Sequence, residues 1–220
     1  MTRRPWVRWG LVVGALSASG CKNDGTQPAG PPTDVVVGGG DRQNWYYNNP
    51  LPTPLSVTVL DPSGRPVPGV AVMWTVTSGA ASGAVNPAQS RTDVSGVATT
   101  TDSVGSSTRQ TVNATFTGAL SAATFSEFAT SAPTNVGVSV TSFVFTPRDT
   151  IVQSGGMVTW TWNSGTTAHN VTYTSGPTPL PNSPDQAGTT TFSTTFTDPG
   201  TYTYHCTLHP QMTGSVQVLH

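Results

Sequence analysis

Tyr204-His205-Cys206-Thr207-Leu208-His209-Pro210-Gln211-Met212 spaces a thiol, an imidazole and a thioether three residues apart, at Cys206, His209 and Met212. A second imidazole, His169, stands 37 residues upstream beside a strand-like run. A Cys-x-x-His pair alone would mean little. Cys-x-x-His-x-x-Met between two strand-like runs lets one tight loop deliver three donor atoms. Two imidazoles, one thiolate and a weak thioether are the donor set of a mononuclear blue-copper centre. Soft sulfur favours copper there, and a distant axial Met lets both oxidation states be held with little rearrangement. Zinc accepts Cys and His, but a thioether is a poor ligand for it.

The pattern around the loop is that of a sheet. Tyr202, Tyr204 and Cys206 fall on one strand face, and Val216 and Val218 follow after the loop. Upstream, Val136 to Val140, a run in which Phe143 and Phe145 alternate, Val158 to Trp162, Ala168 to Tyr173, and Phe192 to Phe196 read as strands. Trp160 and Trp162 are expected to share the core face. Asp198-Pro199-Gly200 and Asn163-Ser164-Gly165 are turns, and Ser175 to Gly188 is a long loop. Roughly eight strands over residues 134–220 make a Greek-key sandwich with the site at one end. His205 alternates out of register with Cys206 and should point away from the metal. His220, at the end of the sequence, is expected to be disordered.

From about Thr134 to His220 the sequence resembles the cupredoxins, the plastocyanin and amicyanin family. The resemblance rests on His169-Asn170-Val171 and on Tyr204-His205-Cys206-Thr207 with its short Cys-x-x-His-x-x-Met spacing, which is most similar to the amicyanin branch. It implies one type 1 copper held by His169, Cys206, His209 and Met212. It implies that Asn170 braces the ligand loop by hydrogen bonds. It also implies an electron carrier rather than an enzyme, with a redox protein docking near His209 on an apolar patch holding Leu208, Pro210 and Gln211. Multicopper oxidases flank the copper Cys with His, whereas position 207 is Thr and no His-x-His pair occurs. The further His of copper nitrite reductases are also missing. A cysteine-protease reading finds no acid or amide pattern to orient a base beside Cys206.

Residues 34–130 form an earlier domain. Leu55-Ser56-Val57-Thr58-Val59 alternates, and Asp61-Pro62-Ser63-Gly64 turns. Val70, Val72, Trp74 and Val76 then share a face, so Trp74 is expected in the core. A turn from Thr92 enters another strand, and Val112 to Phe116 follows. These short strands indicate a second β-sandwich, and their order resembles the bacterial Ig-like repeat of invasins and intimins. That resemblance implies a fold and names no activity. Trp45-Tyr46-Tyr47 is expected to pack as a loop onto this sandwich. The overall fold expected is therefore all-β, two sandwiches in series.

Residues 1–20 read as an export signal: Arg3, Arg4 and Arg8 precede a short apolar stretch, Gly10 to Ala18, too short to anchor in a bilayer. Small residues then lead to Cys21. This resembles a bacterial lipobox, which implies acylation of Cys21 and a membrane attachment through lipid. Residues 21–33, rich in Gly and Pro, are expected to act as a linker. A Cys21–Cys206 disulfide would be the other use of the only two cysteines, but each has its own explanation.

Charged residues make up only 9% of the chain and the net charge is −1, so there is no basic footprint for nucleic acid. Without residues 1–20, six basic residues face ten acidic ones. The sequence thus points to an exported electron carrier of the cell envelope, periplasmic or at the cell surface. Copper storage or delivery, and surface adhesion with a secondary copper site, stand as the alternatives.

Overall fold

In the computed structural model, residues 28–78 and 83–220 are described, and they contain strands and turns with no helix. The export signal and Cys21 lie outside the described residues. The first unit runs β1 (Asp34–Gly39), β2 (Asn44–Tyr46), β3 (Leu55–Leu60), β4 (Ala71–Ser78), β5 (Ala84–Asn86), β6 (Gln89–Arg91), β7 (Val97–Ser103), β8 (Arg109–Thr115) and β9 (Ala123–Thr130). The second runs β10 (Asn135–Thr141), β11 (Val144–Thr146), β12 (Asp149–Gln153), β13 (Gly156–Trp162), β14 (Thr172–Ser175), β15 (Thr191–Phe196), β16 (Gly200–Cys206) and β17 (His209–Leu219).

In the first unit, the sheet β1-β3-β7-β5 packs on the sheet β2-β9-β8-β4-β6. Period-two alternation decides which side chains meet between them. Leu55, Val57 and Val59 are fully buried, as are Val72 and Trp74 from the facing sheet. Each such side chain contributes at most about 1.5–3 kcal/mol of burial free energy. Trp45 packs against this core from β2, which pairs in parallel with β9, so Trp45 and Tyr46 lie in a strand rather than a loop, and only Tyr47 is in the turn that follows. Residues 28–33, at the end of the expected linker, lie against the sandwich. The Gly30 N–H donates to Asp61 Oδ2 at 2.8 Å, and the Thr33 N–H donates to the Leu60 carbonyl at 2.9 Å.

In the second unit, the sheet β11-β10-β13-β15 faces the sheet β12-β17-β16-β14. Two pairings are parallel, β10 with β13 and β12 with β17. Those pairings require crossovers between the sheets, which is what makes a sandwich rather than a meander. The core is aromatic: Trp160, Trp162, Tyr202, Tyr204, Phe145 and Phe196 are all buried. Trp160 and Tyr204, from opposite sheets, meet edge-on at 5.3 Å. Tyr204 can lie that deep only because position 214, its partner across β17, is Gly. A Cβ there would stand 2.5 Å from the Tyr204 oxygen.

Three expectations need correction. Phe143 does not alternate with Phe145 in a strand; it lies in the β10–β11 turn, exposed, while Phe145 is buried. The run from Ala168 becomes a strand only at Thr172, because His169 and Val171 send their backbone bonds to Gln186 and Ser183 of the long loop instead. His220 is placed rather than loose: its N–H donates to Asn49 Oδ1 at 3.2 Å, and its carbonyl accepts from Asn49 Nδ2 at 3.4 Å.

Candidate metal centre

The loop between β16 and β17 is a hairpin turn of two residues, Thr207 and Leu208. A register shift between His205 and Cys206 makes Cys206 the cross-strand partner of His209. Such a bulge re-aims side chains at a strand end. Here it leaves Tyr202, Tyr204 and Cys206 buried on one face and brings the His209 imidazole over the thiol. Met212 is buried in the same core cluster as Cys206. His169 arrives from the other side of the sheet end. Its N–H donates to the Gln186 carbonyl at 2.8 Å, and its carbonyl accepts from Gln186 N–H at 2.9 Å and from Trp162 Nε1 at 3.0 Å.

Cys206 Sγ lies 3.5 Å from His209 Nδ1 and 3.8 Å from His169 Nδ1, and the three donor atoms all stand within 4.8 Å of one another. Metal–nitrogen and metal–thiolate bonds of about 2.0 and 2.3 Å separate N from S by about 3.5 Å at a tetrahedral angle and about 3.7 Å at a trigonal one. The observed separations fit one ion bonded to all three. Their chemistry, with a buried thioether beside them, matches a type 1 copper site. Among the described residues Cys206 is a free, buried thiol. His169 is fully buried, and that burial, followed by the neighbouring His209, lowers its pKa, the direction that favours the neutral ring a nitrogen donor needs.

Asn170 ties this arrangement together. Its backbone N–H donates to Cys206 Sγ at 3.4 Å. Its side-chain Nδ2 donates to Thr207 Oγ1 at 2.6 Å and to Asp185 Oδ1 at 2.7 Å. Its Oδ1 accepts from the Thr207 N–H at 2.9 Å. One amide therefore locks the His169 segment, the Cys206 turn and the long loop to each other. Sequence reasoning found Asn170 but missed Asp185 and Thr207. Neither carries a sequence signal, since Asp185 sits in a Pro-rich loop whose path only the fold defines. It also missed Phe143, whose ring lies edge-on to His209 with centroids 4.7 Å apart. His205 lines a different depression with Arg148, Asp149 and Thr213, away from the metal donors, as its register predicts.

Around His209 the surface is apolar and uncharged. Phe143, Leu208, Pro210, Gln211 and Met212 line a depression of about 290 Å³ with it. Leu208 is 45% exposed and, with the 60% exposed Phe143, gives that depression an apolar surface.

A Greek-key sandwich with a Cys, two His and a Met at one end defines the cupredoxin class. The family model for copper-binding proteins of the plastocyanin/azurin family matches residues 132–219. Residues 43–129 match the bacterial Ig-like domain (group 1). Amicyanin-alpha of Methylorubrum extorquens is 37% identical over 83 residues, covering 37% of this chain and 69% of that protein. A solved structure of a purple cupredoxin from Nitrosopumilus maritimus is similar at 24% identity and TM-score 0.36, covering 38% of this chain and 99% of that one. A reduced amicyanin variant is similar at 32% identity and TM-score 0.35, over 39% of this chain and 82% of that one. The chain belongs to the plastocyanin/azurin family of copper proteins, with a bacterial Ig-like domain ahead of its cupredoxin domain.

Proposed function

We propose that the protein carries single electrons through one copper held by His169, Cys206, His209 and Met212. The observation that carries this is the convergence of Cys206 Sγ with two imidazole Nδ1 atoms at 3.5 and 3.8 Å. A copper ion bound there would supply a Cu(II)/Cu(I) couple, taking or giving one electron with no bond made to a substrate. The chain's own contribution is rigidity. Asn170 and the two-residue turn hold the donors in one place, so little rearrangement accompanies the change of charge. The Asn170 N–H drains electron density from Cys206 Sγ, which favours the reduced state. His209, half-exposed at the pole, is the exit for the electron.

The uncharged depression around His209 suits a partner with an apolar contact face, a redox protein that docks briefly. Leu208→Asp places a charge in the centre of that face. The full copper-loaded chain should keep its visible spectrum and be bleached by one equivalent of a one-electron reductant, while its exchange with the native partner slows about tenfold or more. An unchanged exchange rate would refute docking at this face. Copper passing quickly to a chelator, with no reduction of any partner, would favour storage or delivery instead.

We further propose export and lipid attachment, supported by Arg3, Arg4 and Arg8 ahead of a short apolar stretch and Cys21. Cys21→Ser should release the protein from the membrane fraction into the soluble envelope or medium. Retention in the membrane fraction by the variant would overturn the anchor. The Ig-like domain then stands between the anchor and the copper pole. β17 runs from His209 at that pole to Leu219 near Asn49, and an 11-residue strand spans about 36 Å. The electron port is thereby held well away from the attachment side.

A further inference from the structure

Phe143 occupies the β10–β11 turn with φ 65°, a left-handed backbone that is an outlier for a bulky side chain. Glycine would hold the same turn without that penalty. Burial does not account for the choice, because Phe143 is 60% exposed whereas Phe145 is 1% exposed. The ring's aromatic partners among the described residues are the two imidazoles of the metal site. It stands edge-on to His209 at 4.7 Å and 87°, and edge-on to His169 at 5.9 Å and 84°. Both lie in the favourable range for such pairs.

The imidazoles need an orienting contact. A metal-binding His is usually held by a hydrogen bond from its second nitrogen. His169 Nε2 is buried and has no such partner among the described residues. Apart from the Nδ1 contact with Cys206 Sγ at 3.8 Å, its ring packs against His209, 4.6 Å away, and against the Phe143 ring. His209 sits on the partly exposed side of the site, with the Phe143 ring packed nearly perpendicular to it.

We infer that Phe143 is a positioning residue for the copper site: its ring, pressed edge-on against His209 and His169, keeps both Nδ1 atoms turned toward Cys206, and the strained turn is retained for that placement. This rests on the copper reading above. Strain of this kind persists where the surrounding structure makes use of it.

Three variants of the full chain separate strain from ring contact. Phe143→Gly and Phe143→Ala both remove the edge. Each should release Cu(I) to a chelator roughly 2- to 10-fold faster than wild type. Phe143→Tyr keeps an aromatic edge and should restore the wild-type rate. In the metal-free chain the His209 ring-proton resonances should shift and broaden in Gly and Ala but not in Tyr. Metal-free Gly should unfold at higher denaturant than Ala, the reverse of the usual order, because only Gly relieves the positive φ. Ala proving more stable than Gly would overturn the strained turn. Wild-type release rates and unshifted His209 resonances in Gly and Ala would overturn the positioning role, even with a normal blue band. If wild type itself gives no thiolate band with Cu(II), the copper reading fails and this inference falls with it.

Discussion

Cys206→Ser should abolish the intense visible thiolate-to-copper band of the Cu(II)-loaded chain and leave a weakly coloured or colourless protein. Cys206 Sγ is the one atom shared by both close pairs of the site, to His209 Nδ1 and His169 Nδ1, and it also accepts the Asn170 N–H. A serine hydroxyl in that position is a hard donor that stays protonated near neutral pH, so it offers neither the charge nor the polarisable electrons that stabilise copper. Affinity should fall further than the roughly 10- to 100-fold that loss of an outer hydrogen bond costs a metal site. The sandwich should survive, because Ser differs from Cys by one atom and the Asn170 clamp on Thr207 remains. A visible absorption spectrum with a copper titration decides the matter. A band that persists in the variant would mean that another residue supplies the sulfur, and the assignment of the donor set would fall.

Trp160→Ala should cost about 3–5 kcal/mol, the range for removing a large buried aromatic side chain. Set against a typical total of about 5–15 kcal/mol for a domain, that removes much of the stability of the second sandwich. Trp160 lies in β13, the inner strand between β10 and β15, and is fully buried. Its ring contacts Tyr204 at 5.3 Å, Phe192 at 5.9 Å, Tyr173 at 6.3 Å and Phe196 at 6.5 Å, so it joins the two sheets. The site should suffer with the core. Tyr204 is two residues from Cys206 on the same strand face, and a cavity beneath it loosens the end of β16 that aims the thiol. Denaturant unfolding of the chain, read by near-UV aromatic signal and in parallel by retention of copper, measures both effects. A loss below about 1 kcal/mol would mean that the core collapses around the gap, and the proposed tie between core and site would not hold.

Much of this was visible in local pattern. Val158-Thr159-Trp160-Thr161-Trp162 reads as a strand with both Trp inward because side chains alternate, whatever the rest of the chain does. The same rule put Cys206 inward and His205 outward. Where the reading missed, the cause was long-range. Phe143 looked like the partner of Phe145, but one residue in left-handed conformation breaks the alternation, and local pattern contains no sign of it. The strand expected from Ala168 is delayed because loop residues Ser183 and Gln186, which are 12 and 17 residues from their partners Val171 and His169, take the backbone bonds first.

The sequence alone determined that the chain is all-β, that its last 87 residues form a sandwich, and which four side chains have the chemistry to hold copper. Those properties follow from period-two burial and from donor atoms, both of which are local. The tertiary structure decided how the donors meet: the bulge before Cys206, the Asn170–Thr207–Asp185 clasp, and the Phe143 edge on two imidazoles. The reason is that His169 and Cys206 are 37 residues apart, and only the packing of two sheets makes them neighbours.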